Sequence, residues 1–161
     1  MVDRKTCPPI VKVKVMVKRP RVLIVEDDLL IADMTEEILV ANGYDVCGIA
    51  STVAAALAIG KSHAPDIALI DYRLADGGFG TEVGARLRAN SDLGILYVTG
   101  NNTAVAMQNA VGDACLVKPY RSTELLQSLC IVAGIAASGK ADPPFPRGFQ
   151  LLDAITPMLS K

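Results

Sequence analysis

Short apolar runs alternate with helix-like segments along most of this chain, and this alternation restricts the possible folds more than any single residue does. From residue 21 onwards the pattern occurs five times, with strand-like, mainly apolar runs at 22–25, 44–50, 67–71, 94–98 and 114–117. Apolar runs separated by amphipathic helices are typical of parallel strands buried on both faces. We therefore predict an α/β fold with a doubly wound, five-stranded parallel sheet in the order 2-1-3-4-5 and right-handed crossovers.

Four of these predicted strands end in, or are followed by, a polar side chain. Glu26 and Asp27 follow the first strand, Asp71 ends the third, and Thr99 and Lys118 follow the fourth and fifth. In an open parallel sheet, ligands bind outside the carboxyl ends of the strands, at the point where the strand order reverses. We therefore expect two or three carboxylates, a hydroxyl and an ammonium group around one crevice.

This set of groups suits a divalent cation and a phosphoryl group. Two unit charges about 5 Å apart repel by roughly 3 kcal/mol at an effective dielectric constant of about 20. Three gathered carboxylates would exceed the charge of one lysine by about two units, which Mg²⁺ would cancel, and Mg²⁺ prefers carboxylate, water and phosphate oxygens. Asp28 can instead cap the following helix, so we leave it out of the metal site.

Composition limits the class of partner. The chain has 161 residues, enough for one domain with a substantial core, and its formal net charge is −1. Acidic and basic residues are interspersed, so nothing indicates binding to nucleic acid or to an anionic membrane, and no apolar run reaches the roughly 18 residues of a membrane span. The cysteines are scattered without a C-x-x-C pair, so we expect reduced, small core residues and a cytoplasmic location; they are Cys7, Cys47, Cys115 and Cys130.

The strand-end motifs resemble the receiver domain of bacterial two-component response regulators, in the stand-alone form of chemotaxis regulators. The resemblance covers about residues 21–136 and implies the flavodoxin-like receiver fold. Each motif alone is weak, but four of them in this order are specific. They are Val-Leu-Ile-Val-Glu-Asp-Asp at 22–28, Ala-Leu-Ile-Asp-Tyr-Arg-Leu at 68–74, Tyr-Val-Thr-Gly at 97–100 and Leu-Val-Lys-Pro-Tyr at 116–120.

The resemblance implies a magnesium site. By that analogy Asp27 binds Mg²⁺ directly, Glu26 binds it directly or through water, and Asp71 and the backbone carbonyl of Arg73 complete the protein ligands. Asp71 is also implied to be the nucleophile that accepts the phosphoryl group, which is a reaction that carboxylates perform in other proteins.

The resemblance also implies the groups that contact the phosphoryl group. Thr99 would donate a hydrogen bond to it, Lys118 would pair with its oxygens, and the bond between Lys118 and Pro119 is often cis in this family. His63 is the only histidine and lies in a predicted surface turn, so the phosphoryl group has to come from another molecule.

Three departures from the family pattern concern the output mechanism. Many receivers carry a mobile Tyr or Phe three residues before the lysine, where this chain has Cys115. Either that switch is absent, or Tyr97 or Tyr120 replaces it. The loop at 74–78 differs from the usual turn, and the helix predicted over 104–111 is short.

Both ends of the chain differ in composition from the middle. We expect a flexible leader at 1–20, a receiver domain at 21–137, and a linker with a short tail at 138–161. The tail carries four apolar residues at near-helical intervals, which favours one amphipathic helix packed on the receiver or on a second copy; they are Phe149, Leu152, Ile155 and Leu159.

These features predict a single-domain response regulator. It would accept a phosphoryl group on Asp71 from a sensor histidine kinase or a histidine phosphotransfer protein, with Mg²⁺ as cofactor. Phosphorylation adds about 1.5 to 2 negative charges and would bias a two-state equilibrium in the face formed by the fourth helix, the fifth strand and the last helix. We expect output through a downstream protein, no nucleic acid or membrane partner, and no enzymatic activity beyond self-phosphorylation and autodephosphorylation; a homodimer is left open.

Alternatives from other classes are less consistent with the residues. A Mg²⁺-dependent phosphohydrolase of the haloacid dehalogenase type typically has a second acid two residues after its nucleophile, where this chain has Arg73. An adaptor that works without phosphorylation would not need the complete set of strand-end groups. A flavin-binding protein would bind the FMN phosphate with hydroxyl and amide groups in the turn between the first strand and the first helix, where this chain has acidic residues.

Overall fold

One sheet with helices on both faces organises residues 19–100, 107 and 109–152, which are the residues that this computed structural model describes. The strands are β1 (Arg21–Val25), β2 (Asp45–Ala50), β3 (Ile67–Asp71), β4 (Gly94–Thr99), β5 (Ala114–Val117) and β6 (Phe149–Leu151). The helices are α1 (Leu29–Ala41), α2 (Val53–His63), α3 (Gly80–Arg88) and α4 (Ser122–Ser138).

The strand order is β2-β1-β3-β4-β5-β6. Strands β1 to β5 are parallel, which confirms the predicted fold class and the order of its five parallel strands. Strand β6 is antiparallel to β5 and was not predicted. The described part of the sheet therefore has six strands.

The sixth strand corrects the prediction for the tail. A helix was expected to include Phe149, but Phe149–Leu151 form β6. An edge strand such as β5 presents unpaired backbone N–H and C=O groups, and pairing with them favours a strand that the local sequence pattern does not indicate. Ile155 and Leu159, most of the helix predicted over 104–111, and residues 1–18 of the predicted leader lie outside the described residues.

Different helices cover the two faces of the sheet. Along β1, Val22 and Ile24 join one core cluster, whereas Leu23 and Val25 join the other, as the alternation of strand side chains requires. The first cluster contains buried residues of α1 and α4, and the second contains buried residues of α2 and α3; examples are Leu39, Leu129, Ala56 and Val83. Because both faces are covered, polar groups at the carboxyl ends of the strands lie at the rim of the sheet.

Two further predictions concern the cysteines and membranes. Cys47 and Cys115 are free thiols, and Cys115 is fully buried. Cys130 is disulfide-bonded, which corrects the expectation that all the cysteines are reduced. In the part of the chain that the structure describes, no helix combines the length and the apolar character needed to span a membrane.

Candidate functional site

Three carboxylates meet at the carboxyl ends of β1 and β3. These two strands are paired in parallel, with Val25 opposite Ile70, so the residues that follow each strand emerge side by side. One carboxylate oxygen from each of Glu26, Asp27 and Asp71 lies within 4.8 Å of the other two. The neighbouring Asp28 has a different role, since its side chain accepts hydrogen bonds from the first backbone N–H groups of α1.

Glu26 is the most buried member of this acidic cluster, with 7% of its surface exposed. Burial raises the pKa of Glu26 from 4.5 to about 7, and the charge of Asp71 and a hydrogen bond with Asp27 act in the same direction. The backbone N–H of Asp28, which donates to Glu26 Oε2 at 3.1 Å, and the charge of Lys118 oppose this increase. The ionised form of Glu26 is therefore disfavoured mainly because its carboxylate is buried, and further because it adjoins Asp71.

The donor set of the cluster fits Mg²⁺. Oxygen ligands at about 2.1 Å from an octahedral ion are at most about 4.2 Å apart, so the 4.8 Å spread of these oxygens needs only a small closure. A divalent cation would also stabilise the ionised form of Glu26, which burial, and to a smaller extent the charge of Asp71, disfavour.

Lys118 faces the acidic cluster from the end of β5. Its Nζ atom donates to Asp71 Oδ1 at 3.2 Å, and the Asp71 side chain is 14% exposed while that of Lys118 is 38% exposed. The bond between Lys118 and Pro119 is cis, as the family resemblance implied. Asp71 thus contacts an ammonium group on one side and adjoins two carboxylates on the other.

Thr99 ends β4 and is almost completely buried. It pairs with Val117 of β5, and its backbone oxygen accepts a hydrogen bond from the N–H of Lys118 at 2.8 Å. Val98, the residue of β4 before Thr99, pairs with Asp71 of β3, the strand on the other side of β4 from β5. The sheet register therefore brings Thr99 and Lys118 to the same end of the sheet as Asp71.

The loop between β3 and α3 carries Arg73 and ends at Gly80, a residue that sequence reasoning missed. The N–H of Gly80 donates to the carbonyl of Tyr72 at 2.7 Å, and Arg73 forms an isolated antiparallel bridge with Phe79. A Cβ atom on Gly80 would lie 2.2 Å from the backbone oxygen of Asp71, so only glycine allows α3 to begin this close to the site. The Asp-Gly-Gly-Phe-Gly sequence at 76–80 indicates a loop, but it does not indicate that Gly80 lies against the backbone of Asp71.

Tyr97 and Tyr120, the two residues that could replace the mobile aromatic side chain of other receivers, occupy different environments. Tyr97 is buried on the face covered by α2 and α3, where its hydroxyl donates to the carbonyl of Val111 at 2.5 Å. Tyr120 lies near the acidic cluster, and burial, followed by the charges of Glu26 and Asp71, raises the pKa of Tyr120. It helps to line a small hollow beneath the cluster, whose other walls are Ile24, Val25, Glu26, Thr35, Leu69, Asp71 and Val98.

Comparison with known proteins identifies the family. Residues 22–130 match the response regulator receiver domain. The chain is 34% identical to the transcriptional regulatory protein AruR of Pseudomonas aeruginosa over 66% of this chain and 46% of AruR. It is 31% identical to the DNA-binding response regulator MtrA of Mycobacterium tuberculosis over 67% of this chain and 48% of MtrA. The chain thus spans about half the length of these relatives.

Solved structures agree with this assignment. A CheY-like response regulator receiver domain from Methanospirillum hungatei superposes with a TM-score of 0.68 at 31% identity, over 76% of this chain and 100% of that chain. The signal receiver domain of a modulated diguanylate cyclase from Desulfovibrio desulfuricans gives a TM-score of 0.67, with the same identity and coverage. The chain belongs to the receiver domain family of two-component response regulators.

Proposed function

We propose that this chain is a response regulator receiver that accepts a phosphoryl group on Asp71 from a histidine kinase or a histidine phosphotransfer protein. The observation that carries the proposal is that Asp71 adjoins the carboxylates of Glu26 and Asp27 and also pairs with Lys118. A nucleophilic carboxylate, a cation site and a fixed positive charge are the groups that phosphoryl transfer requires, because this reaction depends on positioning and charge neutralisation. Output through a downstream protein is part of this proposal.

In the proposed reaction, a carboxylate oxygen of Asp71 forms a bond to phosphorus while the phosphorus–nitrogen bond of a donor phosphohistidine breaks. The electron pair of that bond leaves with the donor imidazole, which takes up a proton. Lys118 pairs with the transferred oxygens and Thr99 donates its hydroxyl hydrogen to one of them. Glu26, Asp27, Asp71 and the Arg73 carbonyl would hold Mg²⁺, which when bound neutralises charge on the transferring group.

The donor has to be another molecule. His63 ends α2, and its backbone carbonyl accepts a hydrogen bond from the side chain of Arg21, the first residue of β1. Asp71, in contrast, is the last residue of β3, which is parallel to β1. His63 therefore lies at the amino end of the sheet, opposite the acidic cluster.

An exposed apolar surface beside the cluster suits a donor protein. Leu29, Leu30 and Met34 at the start of α1 are 68%, 70% and 55% exposed. The helix begins two residues after Asp27, so this surface adjoins the acidic cluster. An apolar contact here would hold a donor histidine near Asp71 without adding charge to an already acidic site.

The printed names of AruR and MtrA describe transcriptional and DNA-binding regulators. This chain matches less than half of each of those proteins. Its formal net charge of −1 also gives no electrostatic attraction to DNA. We therefore assign the receiver chemistry to this chain, and not the DNA binding of its relatives.

Labelling with acetyl phosphate and Mg²⁺ tests the proposal. The unmodified chain should take up one phosphoryl group, and Asp71→Asn should take up none. Asp76→Asn, which changes an exposed carboxylate in the following loop, is the matched control and should be labelled normally. Labelling of Asp71→Asn at the normal level would refute the proposal.

A further inference from the structure

The segment that follows α4 folds back along the same helix and β5. Gly139 ends α4 with a φ of 76°, a left-handed conformation that glycine adopts without strain. The Gln127 side chain then donates to the carbonyl of Pro144 at 3.2 Å, and Arg147 lies 3.7 Å from the carboxylate of Glu124. The chain is thereby brought to the free edge of β5. We call residues 143–152 the docked segment.

Backbone hydrogen bonds join the docked segment to both ends of β5. The N–H of Val117 donates to the carbonyl of Gly148 at 2.9 Å, and the N–H of Leu152 donates to the carbonyl of Asp113 at 3.1 Å. Between them, residues 149–151 pair with residues 114–116. The segment thus satisfies backbone groups that an edge strand would leave to solvent or to another chain.

Side chains of the docked segment enter both cores. Phe149 is 8% exposed and belongs to the cluster under α1 and α4, whereas Leu152 is 3% exposed and belongs to the cluster under α2 and α3. The ring of Phe145 packs on that of Phe149 with centroids 5.1 Å apart. Gln150, which lies between the two buried residues, is exposed. The segment is therefore held by specific apolar contacts as well as by strand pairing.

A short chain of contacts connects this segment to Asp71. Val117, which binds the carbonyl of Gly148, precedes Lys118 and pairs with Thr99. Lys118 binds Asp71 through Nζ and Thr99 through its N–H. A phosphoryl group on Asp71 would enter the space between Asp71 and Lys118, so Lys118 would move. Because Val117 directly precedes Lys118, this movement would act on the hydrogen bond between Val117 and Gly148.

We propose that the docked segment is an internal ligand of the surface formed by α4 and β5, and that phosphorylation of Asp71 loosens it. This inference rests on the proposed function. The coupling is reciprocal, because two events that bias the same equilibrium change each other by the same factor. Weakening the docked segment should therefore strengthen binding at Asp71, although the two places share no direct contact.

Hydrogen exchange of the full chain tests the first half of the coupling. Beryllofluoride with Mg²⁺ serves as the phosphoryl mimic, and fluorine NMR reports whether it is bound. Exchange of the amides of residues 149–152 should accelerate about fivefold or more on binding, the lower end of typical allosteric coupling. Exchange in β1, which leads into the metal site, should not accelerate, and Asp71→Asn should show no acceleration at residues 149–152.

Two variants test the reciprocal effect, in which weaker docking of residues 143–152 strengthens binding at Asp71. Gly148 has a φ of +82°, and a Cβ atom there would lie 3.3 Å from the carbonyl oxygen of Val117, so Gly148→Ala should weaken docking. Phe145→Ala removes a partly exposed ring and is the milder variant. Each should lower the half-saturating beryllofluoride concentration, and Gln150→Ala, which changes an exposed side chain in β6, should not.

The outcomes separate the two proposals. Bound beryllofluoride with unchanged exchange of residues 149–152, or unchanged half-saturation in both variants, would overturn the coupling and leave the proposed function intact. No bound signal in the unmodified chain would overturn the proposed function and the coupling with it.

Discussion

The ammonium group of Lys118 lies 3.2 Å from the carboxylate of Asp71, although 47 residues separate them in sequence. The contact spans β4, which lies between β3 and β5 in the sheet. It places a positive charge directly on the carboxylate that we propose as nucleophile. Both the stability of the metal-free site and its reactivity should depend on this pair.

Replacement of Lys118 by Met should slow phosphoryl uptake from acetyl phosphate by about 100-fold. The reason is that one lost group that stabilises transition-state charge typically costs 10²- to 10³-fold in rate. Initial rates of labelling at saturating Mg²⁺ measure the effect. Lys61→Met, at an exposed position on α2, is the matched control. Equal rates for both variants would show that Lys118 has no role in the transfer.

Replacement of Glu26 by Gln should stabilise the metal-free protein at pH 8 by about 1 to 2 kcal/mol, once solvent screening is allowed for. The pKa of Glu26 is raised from 4.5 to about 7 in the fold, so the folded state binds more protons than the unfolded state between these values. The metal-free protein should therefore lose stability as the pH rises from about 4.5 through 7, and Glu26→Gln should reduce this loss.

Urea unfolding in EDTA at several pH values measures the effect at Glu26. Glu37→Gln, an exposed change on α1, should follow the unmodified protein. With Mg²⁺ added at about 100 times its dissociation constant, the unmodified protein should gain about 2.7 kcal/mol, and Glu26→Gln should gain less. A Mg²⁺ effect of equal size in both proteins would exclude Glu26 as a ligand.

Ending the chain after Gly139 should lower the free energy of unfolding by about 3 to 6 kcal/mol. Truncation removes Phe149 and Leu152, and a fully buried side chain of this kind contributes about 1.5 to 3 kcal/mol. Denaturant unfolding monitored by circular dichroism is the measurement, with Gln150→Ala as the control for an exposed change in β6. A loss of less than about 0.5 kcal/mol, the usual size of a surface effect, would argue against the observed packing of β6.

Replacement of Gly84 by Ala should destabilise the fold by about 1 to 3 kcal/mol, the usual cost of overpacking a core. A Cβ atom at Gly84 would lie 1.8 Å from the hydroxyl of Tyr97. Gly134→Ala in α4 is a matched control, because its Cβ would meet nothing closer than 3.9 Å. That variant should gain stability through the higher helix propensity of alanine. Thermal unfolding of the two variants measures the difference in stability, and equal melting temperatures would contradict the tight packing of Tyr97.

Sequence reasoning identified the alternating strands and the polar groups at their ends because both depend on local patterns. Apolar runs indicate buried strands, and parallel strands bring their carboxyl ends to one edge whatever the details of packing. The order of β1 to β5 follows from these rules together with the family resemblance. The meeting of Glu26, Asp27 and Asp71 needs little more than the pairing of β1 with β3.

Other features of the fold could not be predicted from local sequence patterns. The near-helical spacing of the tail residues favoured a helix, yet β6 forms because the edge of β5 offers hydrogen-bond partners to a segment more than 30 residues away in sequence. The different environments of Tyr97 and Tyr120 depend on which face of the sheet each ring enters. The requirement for glycine at position 80 depends on how closely α3 approaches Asp71.

By itself, the sequence determined which residues form the parallel strands and which polar groups end them, because side-chain periodicity and strand direction are properties of short segments. Only the tertiary structure decided that Phe149–Leu151 complete the sheet beside Lys118 and that Gly80 and Gly84 make room for close contacts. These depend on distances between segments remote in sequence, and such distances are set by the packing of the whole domain.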